Sequence, residues 1–80
     1  MQQQEILDRV KAVVCETFGA PEDSLTGSTT ARDVPGWDSV GHLIFISEIE
    51  SALGVQLPMQ ASLDVADLDG LVALIRDAQR

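Results

Sequence analysis

Residues Gly36-Trp37-Asp38-Ser39-Val40 decide how this chain reads, because a Pro35-Gly36 turn opens there onto a long apolar run. Pro-Gly is turn chemistry, and aspartate is among the best residue types for the position just before a helix. The Asp38 carboxylate can accept from N–H groups of the first turn, where the helix dipole also favours its charge. Ser39 then falls on that turn, its hydroxyl near N–H donors that have no partner inside the helix. Helix N-termini hold anions through those donors and the dipole together, so the place suits a phosphate-bearing group. Ser39 reads as a covalent attachment point that the rest of the chain presents.

Downstream, a helix is expected from Ser39 to about Leu53, stopped by Gly54. Phe45, Ile46, Ile49 and Leu53 share one face and make the natural core set. Val40 and Ile44 fall on the opposite side, in a stripe with Ser47 and Ser51. Few other residues are available to cover that stripe, so it is expected to face a partner, with Glu48 and Glu50 adding acidic contacts at its borders. Val55-Gln56-Leu57-Pro58 alternates like a strand, but nothing else offers a strand to pair with, and it reads as an extended connection. A short helix is expected over Ser62 to Ala66. Asp67 then caps a last helix with an apolar face of Leu68, Leu71, Val72, Ile75 and Ala78.

Upstream, Ile6, Leu7, Val10, Val13, Val14 and Phe18 recur at helical spacing between Gln3 and Phe18, opposite Glu5, Asp8, Arg9 and Glu16. Gly19 and Pro21 end that helix. Residues 19 to 38 show no sustained periodicity, and so long a connection normally has a purpose. Leu25 and Val34 are expected to pin it to the helices, with a short helical turn near Pro21 to Leu25. Trp37 is expected to pack its ring beside the site. Three principal helices and a short one make an all-α chain, a small antiparallel bundle, and the whole of residues 1–80 reads as one domain.

Composition narrows the partners. Thirteen acidic against five basic residues give a net charge of −8, which repels nucleic acid and anionic lipid and attracts basic surfaces. No apolar run nears the roughly 20 residues needed to span a bilayer, and the N-terminus lacks the pattern of a signal peptide. A single cysteine excludes an internal disulfide and a zinc site of the usual type, and fits a reduced, cytoplasmic setting. Cys15 sits mid-helix without a basic neighbour to activate it and reads as a packing residue. Asp67-Leu68-Asp69-Gly70 looks like the middle of a calcium loop, but the loop would begin at Val65 and end at Arg76, so it fails at both ends.

Three readings of the Ser39 region compete. Asp38, Ser39 and His42 supply the residue types of a nucleophilic site, and positions 39 and 42 are helical neighbours. Asp38 is better used as a cap, however, which leaves His42 without an orienting acid, and so small a bundle has little room for a substrate cleft. In the second reading Ser39 only opens the helix of a small acidic docking module. In the third, Ser39 carries a phosphodiester-linked arm.

Asp38-Ser39-Val40 at a helix start resembles the Asp-Ser-Leu attachment motif of acyl carrier proteins. Leu57-Pro58 after Ala52-Leu53-Gly54-Val55 is similar to the segment that closes the second helix in that family, and the likeness extends over essentially the whole chain. The resemblance implies a non-enzymatic carrier. Ser39 would receive 4′-phosphopantetheine from coenzyme A through a separate magnesium-dependent phosphopantetheinyl transferase, with Asp38 aiding recognition. The arm's thiol would hold acyl or aminoacyl groups as thioesters. Implied partners are a loading ligase or acyltransferase and downstream synthase or tailoring enzymes, met by a monomer. Gly41-His42 and the apolar Ile44 depart from the polar residues that many fatty-acid carriers have there. With the Pro-Gly-Trp lead-in, they look more like specialised polyketide or aminoacyl carriers. Gly41 is expected to weaken the first turn by about 1 kcal/mol relative to alanine, and His42 to lie solvated on the surface. Met1 just before the first helix and Arg80 at the end of the last suggest free-standing use.

Overall fold

In the computed structural model, which describes residues 2–79, the chain forms four α-helices. They are α1 (Gln3–Phe18), α2 (Ser39–Leu53), α3 (Met59–Leu63) and α4 (Leu68–Ala78), with short 3₁₀ turns at Glu22–Ser24 and Ala31–Asp33. No strand occurs among the described residues, so the all-helical expectation holds. Met1 and Arg80, on which the expectation of free-standing use rests, lie outside the described residues.

α1 packs against both α2 and α4, and α3 lies against α4. The periodicities expected of the long helices are the ones that become buried. Ile6, Val10, Val13 and Val14 of α1 meet Phe45, Ile46 and Ile49 of α2 and Leu68, Leu71, Val72 and Ile75 of α4 in one core. Leu7, Phe18 and Leu53 pack partly buried at its edge, whereas Ala78 is exposed. Burial of these aliphatic side chains at about 25 cal/mol per Å² is the main force holding so small a chain together.

The long connection is fastened where its apolar residues predicted. Leu25 and Val34 are buried, and the turn expected near Pro21 is the 3₁₀ turn Glu22–Ser24. Val55 and Leu57 are also buried, in an extended link without a strand partner. The short helix departs from expectation, running over Met59–Leu63 rather than Ser62–Ala66. Pro58, at φ −61°, presets its start, and residues 64–66 are used to reach the cap at Asp67.

Candidate functional site

Asp38 caps α2, its Oδ1 accepting from Gly41 N–H at 2.8 Å while its carbonyl accepts from His42 N–H at 2.8 Å. Two residues earlier Gly36 turns the chain at φ +89°, a conformation suited to glycine. Ser39 is thereby set on the first turn, exposed, with Val40 beside it.

The same Asp-x-x-Gly cap recurs at α4, where Asp67 Oδ1 accepts from Gly70 N–H at 2.9 Å. There, however, the chain fills the helix end itself. Thr29 O accepts from Leu68 N–H at 3.1 Å and Gly27 O from Asp69 N–H at 2.8 Å. At α2 the corresponding N–H groups, of Ser39 and Val40, have no hydrogen-bond partner among the described residues. Of two helix ends built alike, only the one bearing Ser39 keeps donors open to an anion. An exposed hydroxyl beside two open N–H donors fits a phosphodiester, so the donor set passes the test for a phosphate-linked group.

Gly41 has a different part from the one its helix propensity suggests. It is buried, and a Cβ there would run into the Gly36 carbonyl and come within 2.9 Å of Phe18 Cε1. The turn bearing Ser39 is drawn tightly onto the Pro-Gly loop, and only glycine allows that approach.

Trp37 packs beside the site as expected. Its ring stacks on Phe18 at 5.3 Å between centroids and meets Phe45 edge-on at 4.8 Å, and such pairs add about 0.5–1.5 kcal/mol each beyond area burial. His42 is not the solvated surface residue expected from its lack of neighbours in sequence. It is 9% exposed, its Nδ1 accepts from Trp37 Nε1–H at 3.0 Å, and its Nε2 lies 3.3 Å from Ser62 Oγ. Both ring nitrogens are therefore engaged away from Ser39, which removes the nucleophilic dyad on geometric grounds. Burial pushes the imidazole below its ordinary value, and a hydrogen bond with the Ser62 backbone opposes that shift in part.

The outer face of α2 is open. Val40 is 65% and Ile44 52% exposed, with Ser47, Glu48 and Ser51 exposed along the same stripe. Glu50 is only partly exposed, and its Oε2 accepts from Leu57 N–H at 2.8 Å. It thus ties α2 to the extended link. The sequence reading missed Leu43 on α2 and Met59 and Leu63 on α3, which are also exposed. Leu43 follows from helical geometry between Val40 and Ile44, but the α3 pair required the correct helix boundary.

Residues 8–75 match the family of phosphopantetheine attachment sites, and the chain belongs to that family. It is similar to the acyl carrier protein of Lactobacillus acidophilus, at 24% identity over 79 residues that cover 99% of both chains. It is also similar to the 3-methylorcinaldehyde synthase of Sarocladium schorii, at 32% identity over 75 residues. That match takes in 94% of this chain but 3% of the synthase. The chain is therefore a carrier rather than a catalyst, with 4′-phosphopantetheine as its expected prosthetic group and partner enzymes of the synthase and transferase kinds. No helix of the described residues is long and apolar enough to cross a membrane.

Proposed function

We propose that Ser39 is the attachment residue of an acyl carrier, and that the carrier holds acyl or aminoacyl intermediates as thioesters for partner enzymes. The observation that carries this reading is the exposed Ser39 at the one Asp-capped helix end, among the described residues, whose first two N–H groups stay open. When bound, the arm supplies the thiol that forms the thioester. The chain supplies position: Asp38 holds the first turn, and the Ser39 and Val40 N–H groups, without a partner among the described residues, are left to receive phosphate charge. Cys15, partly buried mid-helix, is poorly placed to serve as the working thiol.

Val40, Ile44, Ser47 and Glu48 are the proposed partner face, with Glu50 at its border keeping one carboxylate oxygen on Leu57. The partners that fit are a phosphopantetheinyl transferase, a loading ligase or acyltransferase, and a downstream synthase or tailoring enzyme. The net charge of −8 favours basic surfaces on each of them. A polyketide pathway is the setting that the likeness to the 3-methylorcinaldehyde synthase favours.

Incubation with coenzyme A and a broad-specificity transferase tests the attachment. One phosphopantetheine is expected by intact-mass spectrometry on the wild type and none on Ser39→Ala. Unmodified wild-type protein would leave only a small acidic docking module. Val40→Ala and Ile44→Ala test the partner face, which is wrong if modification and acyl loading are unchanged in both.

A further inference from the structure

The two Asp-capped helix ends are fastened to the fold by different means. At α4 the fastening is made through the backbone, since the Thr29 and Gly27 carbonyls accept from Leu68 and Asp69 N–H. Counted from the caps, those donors correspond to Ser39 and Val40 of α2, which have no partner among the described residues. A helix end that leaves its first N–H groups free cannot be held through them. Its hold has to come from side chains.

Trp37 and His42, which stand on either side of Ser39 in sequence, supply that hold. Trp37 Nε1–H donates to His42 Nδ1 at 3.0 Å. At α4 the corresponding positions are Ala66 and Leu71, whose side chains can make no such bond. Each partner is itself anchored. The indole stacks on Phe18 of α1, 16° from parallel, and on the His42 ring, 17° from parallel, with Phe45 of α2 against its edge. Indole N–H can only donate, so His42 Nδ1 accepts and the neutral ring carries its proton on Nε2. That proton is donated to Ser62 Oγ at 3.3 Å, and the Ser62 hydroxyl donates onward to Met59 O at 2.7 Å. The donor is thus fixed by α1 and α2, and the acceptor by α3.

We propose that the Trp37–His42 hydrogen bond is the positioning contact for Ser39, closing the chain around the attachment residue so that its turn is held while its N–H groups stay free for phosphate. The inference rests on Ser39 as the attachment residue. In the transfer, Ser39 Oγ bonds to the pantetheine-bearing phosphorus of coenzyme A and the pyrophosphate bond breaks. The adenosine bisphosphate half leaves, and a base supplied by the transferase takes the hydroxyl proton. Trp37 and His42 touch none of these atoms. They act by fixing where the hydroxyl-bearing turn stands, which is the part of a transfer barrier that orientation lowers.

Steady-state transfer to the full unmodified chain, with a broad-specificity transferase at saturating coenzyme A, tests this by intact-mass spectrometry. Trp37→Phe keeps an aromatic ring against Phe18 and Phe45 and loses the donor. Its kcat is expected to fall by about three- to tenfold, the factor that one neutral hydrogen bond is worth. The KM for the carrier should stay at the wild-type value, because Val40 and Ile44 are untouched and lost alignment acts on kcat. His42→Asn sets an amide oxygen in the place of Nδ1 and is expected to restore the wild-type kcat without the bond to Ser62. His42→Gln reaches Ser62 instead and is expected to be as slow as Trp37→Phe. The wild-type ring should show the Nε2–H tautomer by ¹⁵N spectroscopy, a readout that needs neither a variant nor a transferase. A wild-type kcat in Trp37→Phe, a loss confined to KM, a His42→Asn as slow as Trp37→Phe, or the Nδ1–H tautomer would overturn the inference and leave Ser39 as the attachment residue. A wild-type chain that takes no phosphopantetheine would overturn the attachment reading itself.

Discussion

Gly41 and Gly70 stand at the same position of the two Asp-x-x-Gly caps, yet their surroundings differ. A methyl group on Gly41 would collide with the Gly36 carbonyl, whereas one on Gly70 would meet Asp67 Oδ1 and Val65 Cβ at 3.5 Å, an ordinary contact. Gly41→Ala is therefore expected to destabilise by about 1–3 kcal/mol through overpacking, despite the gain in helix propensity. Gly70→Ala should be neutral or stabilising by up to about 1 kcal/mol. Urea denaturation of the two variants reads the opposite signs directly. Propensity alone predicts the same sign at both positions, and so cannot see why Gly41 is glycine.

Among the elements, α2 carries two acidic residues near its end that look alike in sequence but have different tasks. Glu50 holds the Leu57 N–H, and Glu48 is exposed on the outer stripe. Glu50→Ala is expected to lower unfolding stability by about 1.5–3 kcal/mol, the range for a lost hydrogen bond to a charged acceptor. Glu48→Ala should leave stability within about 0.5 kcal/mol and act instead on association with a partner. Calorimetric melting separates the first pair of outcomes and stopped-flow binding the second. Asp67→Ala should cost about 1 kcal/mol as a lost cap, read by urea titration. The long helices and both aspartate caps were legible because each is written locally, in periodicity and in a residue placed next to its target. The bounds of α3 were not, since Pro58 and the reach to Asp67 decided them.

For the molecule as a whole, a charge of −8 on 80 residues sets a self-repulsion that salt screens. The melting temperature is expected to rise with added sodium chloride near neutral pH, while association with a basic partner slows. Scanning calorimetry and stopped-flow binding over the same salt series check the two trends. His42 adds a pH term of known sign: its contribution to stability is complete above about 6.5 and diminishes as pH falls, because the unfolded chain takes up the proton first. Denaturation midpoints in His42→Gln should lose that component. The amino-acid pattern by itself determined the helical class, the core-facing residues of the three long helices and the exposed stripe of Val40 and Ile44, because each follows from spacing along one element. It also singled out Ser39, through the turn and the cap that flank it. Tertiary structure alone decided which capped helix end stays open, why Gly41 has no side chain, and that His42 is buried between Trp37 and Ser62. Those outcomes turn on Thr29 meeting Leu68, Phe18 meeting Gly41 and Ser62 meeting His42, residues far apart in sequence, and no local periodicity encodes such meetings.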